Sequence, residues 1–508
     1  MFKKVNSAAY SGLKSIGIDV EINTTKKGLP EFNIVGLTST AVDESEERVK
    51  NAIMNSNVDF PQRKITVNLA PADVPKEGSF YDLPIAMGIL ASSLQFNLPE
   101  KSLFFGELSL DGSLRHTKGA LPLALFAQAE GYEKLFLPKD SANEAAVVKG
   151  VDVYPIEDLD QIISFLTGKT ELTPTEYESK KRGSDEPEFD MSEILGQEQT
   201  KRAAEIAAAG GHNLFMIGSP GSGKTMIARA IPGILPELSD RESLEVTKIY
   251  SISGNTSPGS GLIRTRPFRS PHHSISKVGL IGGGSRPKPG EVTLAHRGVL
   301  FLDEFNEFPR SALEAMRQPL EDGELTISRS RERVKYPSEF MLVASSNPCP
   351  CGYLNHPEKE CDCTPRQVKR YQKKISGPIL DRIDLHVEVP SVDVDKLKSQ
   401  RRKDDNEKSK EIRERIIMAR KKQTQRFKDE KIRTNAEMKN RHVKKHCDLP
   451  EKTEEILSRA ASEFNISARG YFKMIKVAQT IADLSKAKKI KSDHIAEALQ
   501  YRPKVNQD

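Results

Sequence analysis

The chain has 508 residues, too many for one hydrophobic core, and its length predicts about three or four domains. Apolar and charged residues make up 37% and 29% of it, with a mean hydropathy of -0.51, which is typical of a charge-rich globular protein and excludes a largely disordered chain. The net charge is +6, and neither a signal peptide nor a run of about 18 apolar residues is present. We therefore expect a cytoplasmic protein that is not embedded in a membrane.

Residues 1–169 are predicted to form an α+β domain. Helical stretches, such as 41–54 and 85–92, separate strand candidates with alternating or apolar residues. These strand candidates are 16–22, 32–35, 64–69 and 103–105. Residues 170–188 are polar and contain Pro and Gly, which predicts a linker.

Residues 189–392 change to strand–loop–helix units, which predicts an α/β nucleotide-binding core. Its first strand, 214–217, runs into a complete G-x-x-x-x-G-K-T motif that precedes a helix-compatible segment. In such a loop the backbone N–H groups surround the phosphates of ATP, Lys224 reaches the β- and γ-phosphates, and the Thr225 hydroxyl ligates Mg²⁺. Because both flanks fit, a tight turn without a ligand is the weaker interpretation. The motif consists of Gly218, Ser219, Pro220, Gly221, Ser222, Gly223, Lys224 and Thr225.

Two further strands of this core end in polar residues. Strand 299–302 runs into Asp303 and Glu304, and strand 340–345 ends close to Asn347. The carboxyl ends of parallel strands meet at one edge of a sheet, so we expect these side chains beside the phosphate loop. Asp303 is predicted to hold Mg²⁺, Glu304 to polarise the attacking water, and Asn347 to orient that water or contact the γ-phosphate. Two carboxylates at a strand end by chance are the alternative.

Basic residues alternate in a segment that is predicted to be a β-hairpin. A basic hairpin tip can follow the phosphates of DNA without reading its bases. A second basic segment, 264–277, is another candidate channel loop, and residues 396–445 carry many Lys and Arg residues. An exposed loop, a solvated helical face or a subunit contact is the alternative for these segments. The hairpin alternation runs through Ile327, Arg329, Arg331, Arg333 and Lys335, and its four basic residues are the candidate DNA contacts.

Four of the five cysteines lie in two C-x-C pairs. Four thiolates can close a tetrahedral structural Zn²⁺ site, although the usual spacing is C-x₂₋₄-C. The alternatives are reduced thiols in a loop, or His356 as a substitute ligand. The predicted ligands are Cys349, Cys351, Cys361 and Cys363.

Two arginines are candidates for stabilising charge in the transition state. Arg382 lies between Asp381 and Asp384 and can act as a finger in the site of a neighbouring subunit, with a salt bridge to one of these aspartates as the alternative. Arg469 stands at the start of an apolar helix. Residues 393–508 have the pattern of amphipathic helices and are predicted to form a helical lid.

Over nearly its whole length the chain resembles the magnesium-chelatase-like AAA+ ATPases of the YifB/ComM family. Four segments carry the resemblance, namely 266–273, 287–304, 317–323 and 346–352. The resemblance implies a multidomain α/β protein with an AAA+ P-loop NTPase core and a homo-oligomeric ring, usually a hexamer. It also implies that Asn347 is the first sensor, Arg382 the arginine finger and Arg469 the second sensor.

The resemblance further implies an ATP-driven DNA motor for branch migration, which helps transformed DNA to integrate by homologous recombination. An ATPase that remodels a protein, like the related magnesium-chelatase subunit, is the alternative. A third possibility, a nucleotide-sensing scaffold without hydrolysis, is disfavoured by Glu304.

The N-terminal domain resembles the Lon-protease-like domain of this family. Phe80 stands where Lon proteases carry the nucleophilic serine, and Ser79 is one position away. The position of the catalytic lysine of Lon proteases falls near Leu121. A serine without an activating base is a poor nucleophile, so we expect no peptidase activity.

Overall fold

The computed structural model describes residues 1–36, 42, 44–76, 78–178, 188–284, 287–328, 333–391 and 406–503. The chain forms two compact units. The first comprises Met1–Gly183 with Asp240–Arg264, and the second comprises Ser184–Ser239 with Thr265–Asp508. The sequence predicts residues 240–264 inside the nucleotide-binding core, whereas in the structure this segment packs with the N-terminal unit.

The strands and helices are numbered here in chain order. The strands are β1 (Phe2–Ser11), β2 (Lys14–Thr25), β3 (Glu31–Val35), β4 (Lys64–Ala70), β5 (Ser102–Phe104), β6 (Glu107–Leu108), β7 (Leu114–Arg115), β8 (Lys134–Pro138), β9 (Asp152–Ile156), β10 (Leu214–Gly218), β11 (Phe268–Arg269), β12 (Gly282–Gly283), β13 (Lys288–Pro289), β14 (Val299–Leu302), β15 (Glu324–Ser328), β16 (Arg333–Pro337), β17 (Met341–Ser346) and β18 (Leu385–Val389).

The helices are α1 (Ser45–Asn55), α2 (Asp82–Ser93), α3 (Ala120–Ala129), α4 (Lys139–Ala145), α5 (Leu159–Leu166), α6 (Glu198–Gly210), α7 (Lys224–Ile234), α8 (Asp240–Ser253), α9 (Lys277–Ile281), α10 (Glu291–Leu294), α11 (Arg310–Ala315), α12 (Arg317–Asp322), α13 (Pro365–Gln372), α14 (Gly377–Leu380), α15 (Ser409–Arg426), α16 (Asn440–His446), α17 (Glu451–Glu463), α18 (Ala468–Leu484) and α19 (Ser492–Gln500).

The described part of the first unit contains two larger sheets and the two-stranded pair of β6 and β7. One has the strand order β1-β2-β4-β3, and in β4 every second residue, Ile65, Val67 and Leu69, is buried, as expected for a strand with one covered face. Helix α2 is buried on nearly all sides and packs against β1 and β2. The second sheet contains the parallel strands β5, β8 and β9.

Helix α8 is fixed to this unit by buried polar contacts. The Ser251 hydroxyl donates to the Glu144 carboxylate, and the same carboxylate oxygen accepts the Leu121 N–H at 2.8 Å. The Gly119 N–H donates to the Ser251 carbonyl at 3.2 Å. Burial raises the pKa of Glu144, although these hydrogen bonds oppose that effect. The chain therefore leaves the second unit at residue 239 for an anchored segment and returns to it at residue 265.

The second unit contains a five-stranded sheet with the order β11-β14-β17-β10-β18, in which all neighbouring strands are parallel. All residues of β14 and β17 are buried, which explains why β14 and the first four residues of β17 are apolar rather than alternating. Strand β10 lies between β17 and β18, so the loop that follows it leaves the carboxyl edge between these two strands.

The C-terminal helices share the hydrophobic core of this sheet. Helix α18 packs on α6 and α15, and the Arg426 guanidinium pairs with the buried carboxylate of Asp483. Helices therefore stand where the sequence predicts them, and their role as a lid stays a prediction.

In the described part of the chain, no helix combines the length and the apolar character that crossing a bilayer requires.

Candidate nucleotide-binding site

The phosphate loop connects β10 to α7 at the carboxyl edge of the sheet. Gly221 and Gly223 have φ values of 77° and 91°, a left-handed conformation that glycine adopts without strain. A Cβ atom on Gly218 would clash with the carbonyl oxygen of Val389 in the neighbouring strand. Because α7 begins at Lys224, its free N–H groups point toward the loop and favour a bound anion.

Lys224 lies at the centre of this loop. Its ammonium donates to the carbonyl oxygens of Gly218 and Ser219, each at 2.8 Å, and lies 3.4 Å from Asn347 Oδ1. Burial lowers the pKa of Lys224, and the nearby carboxylates of Asp303 and Glu304 oppose this effect. The structure thus brings the predicted phosphate-binding lysine and the first-sensor candidate Asn347 together.

Thr225 and Asp303 supply oxygen atoms at the same edge. The Thr225 hydroxyl donates to Asp303 Oδ2 at 3.0 Å, and the Ser345 hydroxyl and the Glu304 N–H donate to Asp303 Oδ1. A hydroxyl and a carboxylate oxygen are ligands that Mg²⁺ accepts together with water and substrate phosphates. These two side chains fit the predicted magnesium site.

Glu304 has an unusual backbone conformation and a partner that the sequence did not predict. Its φ is 52°, which is uncommon for a residue other than glycine and is found preferentially at functional sites. Its carboxylate is half exposed, and Oε2 lies 3.0 Å from Nδ1 of His273. Residues that follow β11 reach the same edge as those that follow the adjacent β14. This placement could not be predicted from sequence because β11 has only two residues.

Arg382 lies at the opposite edge of the sheet. It precedes β18, and its carbonyl accepts the side-chain N–H of Asn213, the residue before β10, at 2.9 Å. The five residues of these paired strands span about 15 Å, and that length separates Arg382 from the phosphate loop of its own chain. Arg382 Nη1 donates to the Pro378 carbonyl at 2.6 Å.

The guanidinium of Arg382 pairs with Glu321 and not with Asp381 or Asp384. The hydrogen bond from Arg382 lowers the pKa of Glu321, and the charges of Arg469 and Arg317 lower it further. The two predicted charge-stabilising residues, Arg382 and Arg469, therefore both interact electrostatically with the Glu321 carboxylate.

The four predicted thiol ligands converge on one point. Their sulfur atoms all lie within 4.8 Å of one another, with Cys349 Sγ 3.4 Å from Cys351 Sγ and 3.7 Å from Cys361 Sγ. A tetrahedron with metal–sulfur distances near 2.3 Å has sulfur–sulfur separations of about 3.8 Å, so this cluster could hold a metal ion. The backbone N–H of Tyr353 lowers the pKa of Cys351 to about 6, whereas burial and the neighbouring thiols raise the pKa of Cys361 to about 12 and also raise the pKa of Cys363.

The cysteine loop also packs against the phosphate loop. A Cβ atom on Gly352 would lie 2.6 Å from Cδ of Pro220, so the two backbones approach closely. Nδ1 of His356, the alternative ligand, instead accepts the N–H groups of Glu358 and Lys359 at 3.1 Å. The cluster is thus placed where it can stabilise the segment that presents Asn347.

The predicted hairpin is present as the antiparallel pair of β15 and β16. Arg333 and Lys335 are exposed on one face, and Lys335 pairs with Glu324 at 2.8 Å. Ile327 lies on the other, buried face opposite Val334, so placing it in one alternation with the basic residues was wrong. The error arises because Ile327 and Arg333 belong to different strands, and the pairing of these strands places them on opposite faces. Arg329 and Arg331 lie outside the described residues.

Three arginines of the second basic segment, 264–277, make hydrogen bonds or ion pairs within the chain. Arg266 donates to the carbonyl oxygens of Pro236 and Arg297, and Arg269 makes a two-point ion pair with Glu291 at 2.6 and 2.8 Å. Arg264 pairs with Asp240. These contacts favour a structural role over that of a channel loop.

In the N-terminal unit, Phe80 packs on Phe105 with ring centroids 4.5 Å apart. The Ser79 hydroxyl donates to Glu107, and the ammonium of Lys76 donates to the Pro71 carbonyl. A serine and a lysine with these partners do not form a nucleophile–base pair. Glu77 lies outside the described residues, and the lack of peptidase activity stays a prediction.

Three family models match the chain. "Magnesium chelatase, subunit ChlI" matches residues 190–397, which contain the site, "Subunit ChlI of Mg-chelatase" matches residues 20–141, and "Magnesium chelatase, subunit ChlI C-terminal" matches residues 406–502.

Full-length relatives decide the family. Competence protein ComM of Haemophilus influenzae is 41% identical over 99% of this chain and 97% of its own length. The protein YifB of Escherichia coli is 41% identical over 98% of this chain and 96% of its own length. The chain belongs to the magnesium-chelatase-like YifB/ComM family. The magnesium-chelatase 38 kDa subunit of Rhodobacter capsulatus is a more distant relative. It is 27% identical to this chain over 44% of the chain and 61% of its own length.

We expect His273→Ala to lower the turnover number for ATP about tenfold, because Glu304 then loses the side chain that orients its carboxylate toward water. The matched control is His116→Ala in the N-terminal unit, since His116 is half-buried like His273 and its Nδ1 contacts the hydroxyl of Ser141 at 3.1 Å. Steady-state ATPase kinetics of both variants check this prediction. Equal rates for the two variants would show that His273 does not position Glu304.

Proposed function

We propose that this protein is a ring-forming AAA+ ATPase that hydrolyses ATP and uses the energy to move DNA. The carrying observation is the convergence of Lys224, Thr225, Asp303 and Asn347 at one edge of a parallel sheet. Branch migration in homologous recombination during natural transformation is the specific task that we propose. The name of the Haemophilus relative, competence protein, supports this task. We place the activity in the cytoplasm.

The chemistry follows from the positions of the side chains. Lys224 would release the loop carbonyls and bind the β- and γ-phosphates, while Thr225 and Asp303 would hold Mg²⁺, which neutralises charge on the phosphates. Glu304 would accept the proton of the attacking water, and Asn347 would hold that water or a γ-phosphate oxygen. Each of these groups acts at the edge where the γ-phosphate would lie.

We propose that Arg382 acts in the site of a neighbouring subunit. It lies about a strand length from the loop of its own chain, so it would reach a nucleotide only across a subunit interface. Glu321 holds its guanidinium in the isolated chain, and the phosphates of the neighbour would replace this carboxylate in a ring. This arrangement supports a homo-oligomer, for which we propose a hexamer.

An ATPase that remodels a client protein is the competing function. The matched family models all describe a magnesium-chelatase subunit, and the same ATP site would serve that activity. The exposed face of the hairpin favours DNA because Arg333 and Lys335 offer cations to phosphates, and a phosphate would compete with Glu324 for Lys335.

For the metal at the cysteine cluster we propose structural Zn²⁺. Four sulfur ligands leave no open coordination position, and zinc prefers thiolates in this geometry. The ion would fix the loop that links Asn347 to α13.

We expect about one zinc per chain in protein purified without a chelator, because four thiolates saturate the ion. Cys361→Ser with Cys363→Ser is expected to lose the metal, whereas Cys447→Ser, a buried cysteine elsewhere in the chain, should retain it. Elemental analysis measures the metal content. A metal-free wild-type protein would contradict the proposal.

We expect single-stranded, duplex or four-way DNA to raise the ATPase rate several-fold, because a DNA motor couples hydrolysis to its track. Arg333→Ala with Lys335→Ala should lose most of this increase, while Lys452→Ala with Lys488→Ala removes the same charge from exposed positions outside the basic segments and should keep it. The measurement is the steady-state rate with and without each DNA. A wild-type rate that responds to none of them would favour the protein-remodelling function.

A further inference from the structure

Helix α13 borders a strongly basic cavity that none of the functions above uses. The cavity has a volume of about 1000 Å³ and lies between α13 and the segment 306–310, which follows Glu304 in the chain. Its lining contains six cationic side chains and one carboxylate, Glu307. We call it the basic groove. The six cations, all exposed, are Arg310, Arg366, Lys369, Arg370, Lys373 and Lys374.

Three of these cations lie on one face of α13. Arg366, Lys369 and Arg370 are separated by intervals of three and four, which places their side chains on the same side, and Lys373 and Lys374 directly follow the last residue of the helix. Like charges at this spacing destabilise a helix, whereas cations in the last turn, here Lys369 and Arg370, interact favourably with the helix dipole. Lys374 is compensated by Glu307 at 2.9 Å. This concentration of exposed positive charge suits an anionic ligand.

Hydrogen bonds fix the far end of α13 to the nucleotide-binding site. The Asn306 side chain donates to the Tyr371 carbonyl at 2.9 Å and accepts from Ser346, the last residue of β17. The Gln372 side chain donates to the Pro348 carbonyl at 3.1 Å. The helix thus contacts both the segment after Glu304 and the segment after Asn347.

The near end of α13 is equally fixed. Thr364 caps the helix in a reciprocal pair with Gln367, and Cys363 of the thiol cluster directly precedes Thr364. A rigid helix presents its charges at constant spacing, which reduces the conformational entropy lost when a ligand binds.

We propose that the basic groove binds the sugar-phosphate backbone of a nucleic-acid strand. This inference rests on the proposed function and adds a contact separate from the hairpin. Helix α13, with eight residues, is about 12 Å long at 1.5 Å per residue, which matches about three phosphates at 3.4 Å per nucleotide. The exposed guanidinium and ammonium groups recognise phosphates without reading bases, so binding is independent of sequence. A nucleic-acid strand in this groove would contact the segment that follows Glu304, because residues of 306–310 line the groove.

The test compares the full-length wild-type protein with Arg366→Ala/Arg370→Ala/Lys373→Ala. The probe is a fluorescent poly-deoxythymidine oligonucleotide, and its affinity is measured over a series of salt concentrations. A control variant, Lys169→Ala/Lys452→Ala/Lys488→Ala, loses the same charge from exposed positions outside the groove and outside the other basic segments. Arg366→Lys/Arg370→Lys keeps the charge and shows whether loss of binding reflects charge or a disturbed fold.

We expect the triple groove variant to bind at least about tenfold more weakly and to lower the slope of log affinity against log salt by about two, because three phosphate contacts are lost. The control and the lysine variant should retain the wild-type slope. An unchanged slope and affinity in the groove variant, with DNA binding in the wild type, overturn the groove and leave the proposed function standing. No DNA binding by the wild type at low salt overturns the proposed function itself. Binding of poly-glutamate but not DNA, lost in the groove variant, overturns the nucleic-acid occupant in favour of an acidic protein.

Discussion

The direction of the strands beside β10 determines what this molecule can do. Because β14, β17 and β18 all run parallel to β10, the segments after β10, β14 and β17 meet at one edge of the sheet, and the turn before β18 lies at the other. Lys224, Asp303 and Asn347 are at the first edge, and Arg382 is at the second. The residues that we propose for the two halves of the catalytic site therefore lie at opposite edges of the sheet of one chain. The ring of identical subunits that we propose would bring them together.

Hydrogen bonds join the turn of Arg382 to the residues that precede β10. The Asn213 carbonyl accepts the N–H groups of Asp384 and Leu385, and its side chain contacts Leu342 and the Arg382 carbonyl. His212 lies between Asp384 and Thr480 of α18, at 3.1 and 2.8 Å. Burial alone would raise the pKa of Asp384, but the hydrogen bond from His212 holds it well below its usual range, so this buried carboxylate stays charged. The turn of Arg382 is thus bonded to both β10 and the C-terminal helices.

The sequence predicted the parts of the site that depend on local pattern. The phosphate loop, the strands that lead to Asp303 and Asn347, and the paired thiols are short motifs with fixed chemistry, and the structure brings each of them into one place. Contacts between distant segments were not predictable. The pairing of His273 with Glu304 depends on a two-residue strand, and the basic groove depends on α13 lying beside residues 306–310. Residues 240–264 lie in sequence between segments of the second unit but pack with the first unit. No feature of the sequence indicated this packing.

Mixing two inactive variants tests most directly whether the ATP site is shared between subunits. Glu304→Gln and Arg382→Ala are each expected to have almost no ATPase activity, because each lacks one half of every site. In an equal mixture, a quarter of the interfaces would combine intact Glu304 with an intact neighbouring Arg382, so activity should recover to about a quarter of the wild-type rate. A mixture no more active than its separate components, under conditions where subunits exchange, would contradict a shared site.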